Sequence, residues 1–302
     1  MSKALTLSLI FKANSLNYGE GIANISELKK IHRGNGDVLT FASRQSLRYD
    51  IVRLGNEWFD WNLDVVDKSK GTLQFQEALT IADSVEMDLF GYLKTNKNSM
   101  KRPAVARLSH AISLEPYRSD IEFLNNMGLA ERIGETPNLA NIEQHESFYA
   151  YTITLDLKRV GIDPADKKNP VSLPVETRKE RLGQFLDIVK LLNRNIRGRQ
   201  ESLAPLFVIG GVYPAANPFF LGRLMLEPQV KAWKLNTEAL KEAAQTTFGG
   251  QEIANSTHLG YVSGIFQNEA NFNELGIAGS GSIEYFFQTI QAEAMRALEE
   301  LA

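Results

Sequence analysis

Residues 149–157, YAYTITLDL, form the clearest strand pattern in the chain. Tyr149, Tyr151, Ile153, Leu155 and Leu157 alternate with Ala150, Thr152, Thr154 and Asp156. A period of two sends the large apolar groups to one face and the small polar ones to the other. The same alternation runs through Leu5, Leu7, Leu9 and Phe11, set against Thr6, Ser8, Ile10 and Lys12, and predicts a half-buried strand. Val85, Met87 and Leu89 against Glu86 and Asp88 read as another, and PLFVIGG reads as a buried strand ending at Gly210-Gly211. Between them lie helical patterns. SRQSLRYDIVRLG opens on Ser43 as N-cap, carries Leu47, Ile51 and Leu54 on one stripe, and stops at Gly55. A short helix is expected from Pro103 to about Ile112. An amphipathic helix is expected from Glu176 to Ile196, with Leu182, Phe185, Leu186, Val189 and Leu192 inward, and a final one near Glu284 to Leu301.

Three stretches interrupt this pattern: a glycine-containing loop from Asn14 to about Thr40, a polar-aromatic run over 56–82, and a low-regularity run over 113–146. Without them the order is strand, helix, strand, strand, helix, strand. That is the split βαβ, ferredoxin-like α+β arrangement. RNA-recognition domains share it, and so do many enzymes and regulatory domains, so topology names no function.

The chain has 302 residues, 43% hydrophobic and 23% charged, the composition of a globular protein with a real core. No window approaches the roughly 20 apolar residues of a membrane helix, and the N-terminus reads as a strand rather than a cleavable signal. Cysteine is absent, which excludes disulfides, thiolate metal sites and cysteine nucleophiles and fits a cytoplasmic location. The net charge of -3 argues against a protein basic all over, but the charge is unevenly placed. Residues 1–55 carry eight Lys/Arg against four acids, 56–92 reverse the balance, Lys94 to Arg107 hold five bases and no acid, and Arg178 to Arg199 hold seven bases against Glu180 and Asp187. Such blocks serve either as solvated helix faces or as patches for a polyanion and for self-association.

No metal-ligand spacing occurs among His32, His110, His145 and His258, and there is no nucleophile elbow. GEG at 19–21 and GIAGSGS at 276–282 match neither phosphate-loop fingerprint; ordinary turns or a helix lead-in account for them, and no cofactor is expected. Glu86 and Asp88 could serve metal-dependent phosphodiester cleavage, although a strand's solvent face explains them more simply. The segment TFASRQSLRYDIVR carries more. A helix N-terminus offers N–H groups and partial positive charge to a phosphate. Arg44 sits at that end, Arg48 lies one turn along the same face, and Ser43 and Gln45 add neutral hydrogen-bonding groups. Taken alone, a capped surface helix with two arginines explains it equally.

With its neighbours this segment resembles the backbone subunit of type I CRISPR surveillance complexes (Cascade), in the type I-B, DevR-like branch. NYGEGIANISELKKI, ASRQSLRYDI, SVEMDLFGYL, RPAVARLSHAISLEP and YAYTITLDL carry the resemblance, in order and spacing, over most of residues 4–160. It implies a non-catalytic, hand-shaped protein. Residues 1–55, 83–112 and 147–302 would form a ferredoxin-like palm, 56–82 a finger insertion and 113–146 a thumb insertion. It further implies copies stacked along the spacer of a CRISPR RNA with other Cascade subunits, each thumb reaching a neighbour, and the guide presented for pairing with target DNA. Ser43, Arg44, Gln45 and Arg48 would contact the guide backbone. Lys101, Arg102 and Arg107, and a loop at Gly210-Gly211, are further candidates. Tyr117, Ile121, Phe123, Leu124 and Met127 would supply an apolar thumb wedge, a pattern that packing of the thumb base explains equally. An endoribonuclease of the same superfamily and a ferredoxin-like small-molecule enzyme or regulatory domain are the rival readings.

Overall fold

A computed structural model describes every residue except 1, 2, 22, 70, 96–98, 168, 229–231 and 302. Lys70 and Lys97, counted in the charge blocks above, therefore lie outside the described residues. In chain order the elements that build the core are β1 (Ala4–Asn14), β2 (Lys30–His32), β3 (Val38–Ala42), α1 (Arg44–Phe59), α2 (Val85–Phe90), β4 (Ala106–Leu108) and β5 (Ala111–Ser113). There follow β6 (Asp120–Asn125), β7 (Leu139–Gln144), β8 (Glu146–Asp156), α3 (Val175–Lys190), β9 (Phe207–Tyr213), α4 (Thr237–Ala244), β10 (Thr257–Tyr261), β11 (Gly279–Ser282) and α5 (Ile283–Glu300).

The YAYTITLDL stretch is the hub of a large mixed sheet ordered β11-β10-β9-β1-β8-β5-β3-β2, with β4 also on β8. β8 pairs antiparallel with β1 along the full length of both, from Ala4 opposite Asp156 to Asn14 opposite Glu146. Within this sheet the β10–β11 contact is parallel and the other described pairings are antiparallel. Tyr149, Tyr151, Ile153 and Leu155 bury completely against the layer made by α1, α3 and α5, together with Leu5, Leu7, Leu9 and Phe11. The opposite face carries Ile10, Phe148, Phe207 and Ile209 and is partly covered by residues 214–278, through Phe220, Leu224, Leu235, Leu240 and Phe272. β1 is thus buried on both faces from Ala4 to Phe11 rather than half-buried, with Ser8 satisfied by Thr152 (Oγ to Oγ1, 2.7 Å).

The predicted element order holds, but one strand is made from other residues. Val85–Phe90 is a helix: Ser84 Oγ accepts from Met87 N, Glu86 and Asp88 fill the first turn, and Gly91 at φ 74° ends it. Its period-two pattern is too short to separate a strand from a helix buried on several sides. The strand comes from residues 106–113, where a helix was expected. Pro103 starts an extended run there, and β4 and β5 pair with β8. Gly55 does not stop α1, which continues to Phe59 and closes on Asp60 at φ 55°. A Cβ at Gly55 would stand 2.2 Å from the ring of Trp61, so the glycine makes room for an indole. The helix after Pro174 ends at Lys190, and Asn193–Ile196 turns back as a hairpin on Arg199–Ser202.

The irregular stretches are hairpins. β2 and β3 add to the large sheet, Val66–Ser69 pairs with Thr72–Phe75, and β6 pairs with β7. GIAGSGS supplies edge strand β11, and Ser282 then caps α5, as a helix lead-in should. No helix among the described residues is long and apolar enough to cross a membrane.

Candidate nucleic-acid interface

Ser43 is the N-cap of α1, with extended backbone and its Oγ accepting from Ser46 N at 3.2 Å. Its own N–H donates to Asn17 Oδ1, which fixes the NYGEG loop beside the helix start. Arg44 N–H donates to His110 Nδ1 at 3.1 Å. Of the first three helical N–H groups only that of Gln45 is left without a protein acceptor among the described residues. The free helix end expected from the sequence is therefore largely used up by the protein itself.

The side chains do better than the backbone. Arg44 and Gln45 are exposed and stand on the rim of a groove of about 870 Å³. Arg33, from the β2–β3 turn, and His110 join them. The floor is the open part of the sheet, with Ile112, Ala150 and Thr152, and the far wall is the 220–226 segment, with Leu221 and Met225 half-exposed. Among the described residues no aspartate or glutamate lines this groove. Neither Arg33 nor Arg44 has an ion-pair partner among the described residues. Arg107 lies opposite Thr154 in the β4–β8 register and is exposed, on the face of the sheet that carries Thr152. Two cations without counter-charge, a third on the same face and an apolar floor make a surface for a polyanion.

The other predicted contacts divide. Arg48 donates to Glu86 Oε1 at 2.5 Å, with its guanidinium 5.2 Å over the ring of Phe90, and is one-third exposed. Lys101 is exposed on a short hairpin formed by Tyr92–Lys94 and Met100–Arg102. Arg102 is completely buried: it bonds Asp88 Oδ1 at 2.7 Å and the carbonyls of Asp88, Ile162 and Arg159, so it is not available to RNA. Gly210 and Gly211 are not a loop. They sit inside β9, where a Cβ would meet Thr6 O at 2.0 Å and Ser256 O at 1.7 Å, so they serve close strand packing. The basic block 178–199 is also mostly neutralised within the protein: Arg181 pairs with Asp88 and Arg194 with Asp50 in the interior, and Lys179 pairs with Glu176 and Glu299 and Lys190 with Glu284 at the surface. Arg197 is the exception, exposed and 4.3 Å over the ring of Tyr18.

On the β6–β7 hairpin Ile121, Phe123, Leu124 and Met127 are 38–58% exposed, and Leu129, Ile133 and Leu139, which the sequence did not single out, are 52–75% exposed. Tyr117 departs from this set. It sits partly buried at the hairpin's base under Lys30 Nζ, 5.0 Å from the ring centroid. The groove residues missed from the sequence are Arg33 and His110. Arg33 sits in a glycine-rich turn whose place beside α1 is set only by the β2–β3–β5 pairing. His110 carries no local signal at all.

A family model described as CRISPR-associated negative auto-regulator DevR/Csa2 matches residues 5–224. The chain belongs to the DevR/Csa2 family. This is the branch that ASRQSLRYDI and its neighbours resemble. Among solved structures, one described as a CRISPR RNA-guided surveillance complex, pre-nicking, is similar to this DevR/Csa2 chain with a TM-score of 0.63 at 12% identity, over 96% of this chain and 100% of the other. A second, described as a CRISPR RNA-guided surveillance complex, gives 0.56 at 12% identity, over 99% and 100%. These likenesses carry the fold: a mixed α+β architecture on a large mixed sheet. No curated protein matches the DevR/Csa2 chain in sequence.

Proposed function

We propose that this DevR/Csa2 chain is a guide-RNA-binding backbone subunit of a Cascade complex, non-catalytic, stacking in several copies along the spacer of a CRISPR RNA. The observation that carries the proposal is the carboxylate-free groove at the start of α1, with Arg33 and Arg44 uncompensated on its rim. The palm is the ferredoxin-like unit β1-α1-β4/β5-β8-α3-β9, whose sheet order places the fourth strand beside the first and the third beside the second. Residues 56–82 are the finger and 113–146 the thumb. In this reading the arginines neutralise phosphates, Gln45 orients the backbone, Ser43 serves only as the cap that holds the start of α1, and base identity is left to pairing between guide and target DNA. Binding is then sequence-tolerant and weakens steeply with salt.

The test is guide retention. Arg33→Glu with Arg44→Glu abolishes RNA copurification, read as the absorbance ratio at 260 and 280 nm, while the melting temperature holds because neither side chain has a protein ion-pair partner. Retention of RNA at the wild-type level by the folded double variant refutes the assignment.

A further inference from the structure

β4 and β5 both pair with β8, but not in one register. Leu108 lies opposite Ile153 and Arg107 opposite Thr154, whereas Ile112 lies opposite Ala150 and Ser113 opposite Tyr149. Three residues, 109–111, therefore face two, 151 and 152. The extra residue is a β-bulge, and Ser109 pins it: Ser109 N donates to Thr152 O at 2.9 Å, and Ser109 Oγ accepts from Thr152 N at 2.9 Å. A bulge switches the face that later side chains occupy and re-aims the side chain at the break. Here it turns Ile112 onto the groove floor and presents His110 at the rim.

His110 is held there by its contact with α1. A backbone N–H can only donate, so Nδ1 of His110, which accepts from Arg44 N–H, carries no proton. The neutral ring then has its proton on Nε2. The ring packs against Phe41, 5.2 Å between centroids. The helix bond and the ring contact together fix the tautomer and the orientation, and His110 remains exposed. Among the described residues no carboxylate lines the groove to take up the Nε2–H.

We propose that His110 is a fourth RNA-backbone contact of this groove, an oriented neutral donor whose Nε2–H bonds a phosphate or ribose oxygen lying between Arg33 and Arg44. This rests on the reading of the groove as an RNA site. The bulge fixes where the RNA strand crosses the sheet by tying a ligand donor to the first N–H of α1.

The experiment measures binding of a fluorescein-labelled single-stranded RNA by the full chain across a salt series, with a melting temperature for each variant. A neutral donor releases no counterion, so His110→Leu lowers affinity about 3–10-fold at every salt concentration with the log–log slope unchanged, and His110→Gln, which can both accept and donate, recovers most of it. Arg44→Gln, by contrast, reduces the slope by about 0.7. In protein with ring-labelled histidine, the ¹⁵N signal of Nε2 of His110 moves on RNA binding while Nδ1 stays in the unprotonated range. Wild-type affinity in His110→Leu overturns the proposal, and so does an affinity loss that both His110 variants share in proportion to a lowered melting temperature, or an Nε2 signal that ignores RNA. Unchanged affinity and slope in both Arg33→Gln and Arg44→Gln refute the RNA groove itself, a separate result.

Discussion

Arg44 and Arg48 sit one turn apart on α1 and meet different surroundings. Arg44 faces the groove unpaired, while Arg48 is held by Glu86 from α2. A phosphate must compete with that carboxylate, so Glu86→Gln is expected to free a cation: RNA binds more tightly and the salt slope steepens by about 0.7. A titration of the variant against wild type at two salt concentrations reads both effects. Arg102 shows the opposite case of a cation committed to structure. Asp88 takes Arg102 at 2.7 Å, Arg181 at 2.9 Å and the N–H of Gly161 at 2.9 Å, all away from water. Removing the carboxylate leaves Arg181 buried without a counter-charge and Arg102 with only Asp163, 3.7 Å away. Asp88→Asn is expected to cost about 3–5 kcal/mol, seen as a large fall in chemical or thermal stability.

At the scale of elements, the β6–β7 hairpin is tied to the sheet by one buried imidazole. His145 lies between β7 and β8, with Nδ1 2.7 Å from Thr40 Oγ1 and its backbone N–H on Ser15 Oγ. Tyr117 and Tyr149 pack against its ring, and Glu115 and Asp120 act on it electrostatically. Burial dominates and lowers its pKa below the usual 6.5; the two carboxylates only partly oppose this. The opened state therefore takes up the proton first as pH falls. The stability contributed is complete above pH 6.5 and is lost progressively below it. Limited proteolysis of residues 113–146 is expected to run faster at pH 5.5 than at pH 7.5. In His145→Gln that pH dependence should disappear; if it persists unchanged, another group is responsible.

The whole molecule is a sheet covered on one face by helices and on the other only in part. Residues 214–228 and 232–278 cover the β9 side and the Phe148 end of β8 but leave β5 and the Ala150–Thr152 part of β8 open, and the uncovered remainder is the groove. At a distance from it the β6–β7 hairpin carries seven exposed apolar side chains, more than a hairpin needs for its own packing. In the proposed assembly a neighbouring copy covers them. Ile121→Asp with Phe123→Asp is then expected to leave a folded, soluble monomer that no longer forms multi-subunit particles with RNA, resolved by light scattering. Particles of unchanged mass would locate the self-contact elsewhere.

Local patterning settled much of this in advance. YAYTITLDL and the β1 alternation specify strands because a period of two has one way to bury its apolar face. Ser43 specifies the start of α1 because a side-chain oxygen there satisfies an N–H that the helix cannot. The order of elements, the family resemblance and the arginine at the groove rim follow from residues close together in the chain. The rest depended on partners far along it. Val85–Phe90 is helical, and residues 106–113 extended, because the second set pairs with β8 and the first does not. Arg102 is buried because Asp88 and the carbonyls of Ile162 and Arg159 converge on it, while Arg44 is free because no carboxylate among the described residues reaches it. His110 reaches the rim through one extra residue in a strand, and pairing register is a property of two strands that neither one encodes alone.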